Sequence, residues 1–336
     1  MSQNTSRKLI SRRDQLRLTA FALIAGQPAL PAWAQPGVYP TKTVKLVIPY
    51  PPGGGTDITG RAMAQKLSEL LGQSVVIENK PGATGMIGAS GVAKSAPDGY
   101  TVLFGAASEM AINASLFKNM TYDPRGDFEP VSLVATSPYL MLVPKDFPAR
   151  TVKEFIDYAK ARPGQLALAS SGSGGMPHLT GEMFQLMTGT KLNHVPYKGT
   201  GAVFIDLIAG RVQVTFSDIA AAYPHVASGN LRVLGITSPQ RSKAYPDIPT
   251  VAEAGVPGFD SVGWFGVFSP GGTPAVINRR LSQAIATYVK QPAVQDQLNK
   301  LGVEPTASTP EAFRTVLRRD LDRWAKVVKD SGAKVD

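Results

Sequence analysis

Five short stretches of glycine and small polar residues point to one chemistry, the capture of an anion by main-chain amides. They are Gly53-Gly54-Gly55-Thr56-Asp57, Pro81-Gly82-Ala83-Thr84-Gly85, Ser170-Ser171-Gly172-Ser173-Gly174-Gly175, Lys198-Gly199-Thr200-Gly201 and Phe216-Ser217-Asp218. Each sits where an apolar run ends and a helical pattern begins. A helix start presents about four N–H groups with no partner in the helix, together with the positive end of the helix dipole. Glycine lets a ligand approach that backbone closely. Several such corners facing one crevice make a carboxylate site that needs no catalytic side chain.

Patterns for other chemistry are broken. A dinucleotide fingerprint starting at Gly53 and Gly55 needs a third glycine at position 58, which is Ile58. No Gly-Lys-Ser/Thr occurs, and Gly172-Ser173-Gly174 is preceded by Ser171 where a nucleophile elbow requires glycine. The histidines are His178, His194 and His225, widely spaced, and there is no cysteine, so neither a metal site nor a thiol site is expected. No pair of titratable groups is placed as acid and base, so the reading is a binding protein without cofactor, not an enzyme.

Individual residues leave alternatives. His178, after Pro177 at a helix start, either touches ligand or bonds to backbone. Asp57 beside Thr56 reads as a helix N-cap; facing a carboxylate it would need a cation, an amino group or a bridging water. Asp218 carries the same ambiguity. Glu109, after Ser108 and beyond a strand, is expected at the cleft edge or on the surface. Of the aromatic and methionine residues near the corners (Phe104, Met110, Met176, Tyr197, Phe216, Trp264 and Phe265), Tyr197 and Trp264 are expected to line the pocket.

The elements that position these corners follow from periodicity. Strands are expected at 43–49, 75–78, 101–105, 133–135, 140–143, 166–169, 212–216, 231–237 and 262–268, with helices at 59–71 and 87–94 among those between them. Thr151-Val152-Lys153-Glu154 is a capping box. Three helices close the chain, 274–290, 292–301 and 310–330, each with proline near its first turn. In the last, Trp324 belongs to a core-facing stripe. Strands alternating with helices predict an α/β fold with mostly parallel sheets. Two units with their own corners suggest two lobes, with the chain crossing near 135–139 and 259–264. Ligands in such sheets bind beyond the carboxyl ends of the strands.

The ends and the charge bound the setting. Residues 1–34 read as an export signal: Arg7, Lys8, Arg12, Arg13 and Arg17 precede the apolar run 18–24, and Ala32-Trp33-Ala34 fits a peptidase site. The Sec and twin-arginine routes both stay open. The net charge of +10 falls to about +6 beyond residue 34, and the basic residues are scattered, which argues against nucleic acid.

Taken together the motifs resemble one family. Tyr39-Pro40, the run Val47-Ile48-Pro49-Tyr50-Pro51-Pro52-Gly53-Gly54-Gly55-Thr56-Asp57, Glu78-Asn79-Lys80-Pro81-Gly82-Ala83, Ala96-Pro97-Asp98-Gly99-Tyr100-Thr101, Pro196-Tyr197-Lys198-Gly199 and Val251-Ala252-Glu253-Ala254-Gly255 are similar to the Bug-type solute receptors of tripartite tricarboxylate transporters. The resemblance implies a two-lobed periplasmic-binding-protein clamshell, type II-like, with two strands crossing between lobes: 35–137 with 261–336, and 138–260. It implies carboxylate capture by Gly54, Thr56, Asp57, Ala83 and Thr84, with Ser170, Ser171, Gly172 and Asp218 from the second lobe. Ser108, His178, Tyr197 and Trp264 complete the expected ligand set. A periplasmic monomer is expected, presenting a di- or tricarboxylate, or an aromatic acid such as terephthalate, to one large and one small membrane subunit. A sensing receptor without transport, and less so an enzyme acting on a carboxylate, are the alternatives.

Overall fold

Buried aliphatic runs become strands and amphipathic runs become helices in strict alternation over the first half of the chain. In a computed structural model, which describes residues 39–53 and 55–335, these are β1 (Val44–Ile48), α1 (Gly55–Leu71), β2 (Val75–Asn79), α2 (Met86–Ala93) and β3 (Thr101–Ala106). The export-signal reading and Gly54 lie outside the described residues. A π turn (Ser108–Ile112) then runs into the single-turn α3 (Asn113–Leu116). Next come β4 (Phe128–Pro144), α4 (Val152–Lys160), β5 (Ala167–Ser170), α5 (Met176–Thr188), β6 (Asn193–Pro196), α6 (Thr200–Ile208), β7 (Val214–Asp218), α7 (Ile219–Ala227) and β8 (Leu231–Ile236). The chain ends with β9 (Val262–Pro270), α8 (Ala275–Val289), α9 (Pro292–Lys300), the short β10 (Glu304–Pro305) and α10 (Pro310–Ser331).

The strands form two groups with one shared plan. The first runs in the order β2-β1-β3-β9-β4, the second β6-β5-β7-β4-β8. In each, three parallel strands are followed by two antiparallel partners. The sheet is therefore mixed, not mostly parallel. Strands 133–135 and 140–143 are also not separate. They are parts of the 17-residue β4, which pairs with β9 over Phe128–Pro138 and with β7 and β8 over Tyr139–Pro144. Pro138 survives inside it although it has no N–H to give.

The C-terminal helix ties the groups together. Thr309 caps α10 through the Ala312 N–H at 3.2 Å. Phe313, Leu317, Leu321, Trp324 and Val327 of its apolar face are buried in the main core with Trp264, Phe268 and Phe184. Trp324 is thus a packing residue. A smaller core of Leu140, Leu142, Phe204, Leu207 and Ile236 lies under α6 and α7.

Candidate functional site

Strand direction decides whether the corners face each other. β3 and β4 both run antiparallel to β9, so they point the same way, whereas β7 runs against β4. β3 ends at Ala106, opposite Phe265, which is opposite Ala135 of β4. β7 ends at Asp218, opposite Tyr139 of the same strand. The carboxyl ends of the two groups therefore approach each other, four residues or about 13 Å apart along β4 at ~3.3 Å per residue. That spacing suits a small ligand.

In the first group the corners are held by buried carboxyls. Asp57 is the third residue of α1, not its N-cap, and its carboxylate reaches back to the Gly53 N–H at 2.9 Å. It also accepts from Arg61 Nε and Asn79 Nδ2, both at 2.8 Å. This reach-back lets α1 begin at Gly55, ahead of the Thr59 expected from periodicity. The Arg61 guanidinium, assisted by the Gly53 N–H and the Asn79 amide, holds the carboxyl down at about 2 against the effect of burial. Asp57 is 2 % exposed, and its carboxylate is taken up by the Gly53 turn and its neighbours.

The second corner is strained and open. Gly82, Ala83, Thr84 and Gly85 have φ of +128°, +47°, +51° and +90°. Left-handed geometry costs about 1–2 kcal/mol per non-glycine residue, and Ala83 and Thr84 adopt it consecutively. Asn113 Nδ2 clamps the turn, donating to Thr84 O at 3.1 Å and Thr84 Oγ1 at 3.0 Å. Ala83 and Thr84 are exposed, and within the described residues their N–H groups make no hydrogen bond. Both amides are open to an anion.

The third corner, after β3, departs most from expectation. Ser108 is half-buried at the start of the π turn, but Glu109 is wholly buried rather than at the cleft edge. Its Oε1 accepts the Ala106 N–H and its Oε2 the Tyr50 hydroxyl, each at 2.5 Å, while Tyr122 OH donates to its main-chain oxygen at 2.6 Å. Burial pushes its carboxyl up to about 7 against the pull of Tyr50 and Ala106.

In the second group the corner after β5 rests on a histidine stack. Ser170 Oγ donates to Gly172 O at 3.0 Å and lies 2.7 Å from His194 Nε2. His178 accepts the Gly174 N–H on Nδ1 at 3.0 Å, and its Nε2 faces Glu182 at 3.4 Å. The two imidazoles stack at 3.7 Å and 9°. Burial, then the neighbouring His178, lowers His194 to about 4. His178 is 5 % exposed and supports the loop through its bond to the Gly174 N–H. Because Ser170 gives its proton to Gly172, the network assigns Nε2–H of His194 as donor to Ser170, so this pair is not a nucleophile with its base. Ser171 and Gly172 are half-buried on the same loop. A side chain on Gly174 would run into Leu116 and Val335, so this loop touches the first group.

The remaining expected residues divide. Tyr197, half-buried after β6, donates its hydroxyl to Asp206 at 2.7 Å. Asp218 caps α7 through the Ala221 N–H at 3.0 Å and so fills its own corner. Trp264 is not with the others. It is 3 % exposed, packs on Phe268 and Phe313, and donates Nε1–H to Asp320 at 2.8 Å. It borders a different cavity, of about 580 Å³, with Arg241, Lys243, Asp260 and Arg319. Phe104, Met110, Met176 and Phe216 are core residues.

Sequence reasoning misplaced Glu109 and assigned no role to Tyr50, Asn79, Arg61, Asn113, Glu182 or the meeting of His178 with His194. Two signals were present. Glu109 is the lone charge in the apolar stretch 101–117, and Asp57 with Arg61 has the i, i+4 spacing of a helical ion pair. The histidines gave none, because β6 brings His194 to α5 only through the sheet.

Comparison with known proteins agrees with this architecture. Residues 59–333 match the family described as "Tripartite tricarboxylate transporter family receptor". Protein BugT of Bordetella pertussis is 36% identical over 319 residues, covering 95% of this chain and 98% of that one. A Rhodopseudomonas palustris structure, Rpa4515 with adipate, is 38% identical with a TM-score of 0.74, over 89% of this chain and 100% of that one. MatC of the same organism, with bound malate, is 32% identical with a TM-score of 0.70, over 86% and 100%. The fold is thus the two-lobed α/β fold of periplasmic binding proteins, and among the described residues no helix is long and apolar enough to cross a membrane. The chain belongs to the tripartite tricarboxylate transporter receptor family, whose members bind solutes and are not enzymes.

Proposed function

We propose that this receptor captures an organic carboxylate, with a C4–C6 aliphatic diacid favoured over an aromatic acid, between lobes 35–137 plus 261–336 and 138–260. The observation that carries the reading is the approach of the two sets of strand ends, with the unpartnered N–H groups of Ala83 and Thr84 on one side and the Ser170–Gly175 loop on the other. One carboxylate sits on the Ala83–Thr84 turn, beside Thr56 and Ser108. Ser171 and Gly172 meet it from the second lobe. Asp57, His178 and Asp218 shape their corners rather than touch the ligand. The adipate and malate of the two Rhodopseudomonas palustris relatives support a short aliphatic diacid.

Charge-assisted hydrogen bonds contribute about 1.5–3 kcal/mol each, so three or four reach the roughly −8 kcal/mol of micromolar binding. Closure follows because only the closed form meets the ligand from both lobes. The mature chain, cleaved after Ala34, works in the periplasm as a monomer and passes the acid to a large and a small membrane subunit. Titration calorimetry against adipate, malate, citrate, benzoate and terephthalate tests the capture step. Heats fitting micromolar affinity for a diacid are expected; a folded sample that binds none of them refutes the reading. Loss of uptake of the bound acid on deletion of the gene tests delivery.

A further inference from the structure

We propose that the receptor takes up a proton together with its carboxylate ligand, and that Glu109 is the group that holds it. The inference rests on the carboxylate reading above and adds the proton as a second partner at the same site.

Glu109 lies at the junction of all three corners of the first lobe. It binds the Ala106 N–H at the end of β3 and the Tyr50 hydroxyl before the Gly53 turn. A Cβ on Gly85 would lie 3.2–3.5 Å from the Glu109 side chain, so the left-handed Gly85 leaves room for the carboxyl directly under the Ala83–Thr84 turn. Asn113, one helical turn on, holds that same turn.

The groups facing the carboxyl are uncharged. Tyr50 approaches from the β1 side, Tyr122 from the segment after α3, and Ser108 reaches Tyr50 from the π turn itself. Among the described residues no lysine, arginine or histidine forms an ion pair with Glu109. A wholly buried carboxylate with two hydrogen bonds and no counter-charge is poised between its charged and neutral forms, in line with a midpoint pushed up to about 7.

A ligand carboxylate on the Ala83 and Thr84 amides brings a second negative charge onto the turn whose next residue, Gly85, packs against the Glu109 side chain. Two carboxylates in one water-excluded site do not both stay ionised, and the buried one is raised further, by about 1–2 units. One proton therefore passes from solvent to Glu109 as the ligand anion enters, and no covalent bond changes. With the midpoint carried from about 7 to about 8.5, roughly two-thirds of a proton is taken up at pH 7.5, and affinity falls about tenfold between pH 7 and pH 9.

The test is calorimetry of the mature protein with adipate, malate and terephthalate in phosphate and in Tris, whose ionisation enthalpies differ. The slope of apparent enthalpy against buffer ionisation enthalpy counts the protons. We expect about two-thirds of a proton taken up per adipate by the wild type at pH 7.5 and none by Glu109→Gln, which keeps the shape and an acceptor oxygen. Binding by the wild type without a buffer dependence overturns the proposal while leaving the carboxylate reading intact, as does a Glu109→Gln variant that takes up as much as the wild type. Should the variant fail to fold, the wild-type affinity series from pH 7 to pH 9 decides: a flat series refutes proton uptake. Absence of heat with all three acids brings down the carboxylate reading, and this inference with it.

Discussion

Replacing Asp57 by asparagine isolates the device that shapes the first corner. The carboxylate serves three donors, Gly53 N–H, Arg61 Nε and Asn79 Nδ2, at 2.8–2.9 Å. An amide has one oxygen, so its NH2 must face at least one of those donors, and an orphaned buried donor costs about 1–3 kcal/mol. An independent route gives a similar size. Lowering the carboxyl from 3.8 to about 2 is worth about 2.4 kcal/mol at ~1.36 kcal/mol per unit. The Arg61 side chain is 51% exposed, so solvent screening reduces that to about 1–2 kcal/mol. A loss near 1.5–2 kcal/mol is therefore expected at pH 7. Since the folded value is the lower one, this stability is fully present above pH 3.8 and disappears as pH falls through 2. Urea unfolding of both proteins at pH 7, 4 and 2 follows the gap directly. The same change frees the Gly53 turn and should weaken adipate binding about tenfold, or ~1.4 kcal/mol. A gap below about 0.5 kcal/mol at pH 7, within the usual range of surface substitutions, or one that persists unchanged at pH 2, refutes the assignment of Asp57 as the turn's anchor.

Three further outcomes follow from the same geometry. Gly85→Ala forces a side chain into φ +90° at 3.2 Å from Glu109 Cβ; a loss of about 1–3 kcal/mol and of carboxylate binding is expected, read by thermal shift and calorimetry. Trp264→Phe removes the donor to Asp320 Oδ2, which should cost about 1–3 kcal/mol in urea unfolding yet leave adipate affinity unchanged. His194 has a folded value of about 4, below its ordinary 6.5, so stability is lost as pH falls from 6.5 through 4. By pH 5 this amounts to about 1–2 kcal/mol after allowance for its partial exposure, and His194→Gln should flatten that limb of the pH–stability curve.

Much of the fold was legible because its signals are local. The last three helices lie within a residue of their expected bounds, since proline at the start and an apolar stripe define each. β4 was not legible as one strand, because Thr136-Ser137-Pro138 reads as a break until β9 and β7 are seen to flank it. The Ser108–Leu116 helical stretch was missed because small residues hide its periodicity. Among site residues, glycine corners announced themselves by composition. Their supports did not. Trp264 looked like a cleft residue from its glycine neighbours, yet those glycines make room for Phe313 and Tyr139. Histidines far apart in sequence met through β6, which no spacing rule captures. Glu109 was expected at the cleft edge or on the surface from its place after a strand end, whereas the Tyr50 hydroxyl and the Ala106 N–H make its burial tolerable.

A crystal structure of the mature protein grown with adipate tests the central claim most directly. The account predicts one carboxylate within hydrogen-bonding distance of the Ala83 and Thr84 amides, with the Ser170–Gly175 loop closed over it from the other lobe. Adipate seated instead in the cavity beside Trp264 and Arg319, with the glycine turns empty, contradicts it.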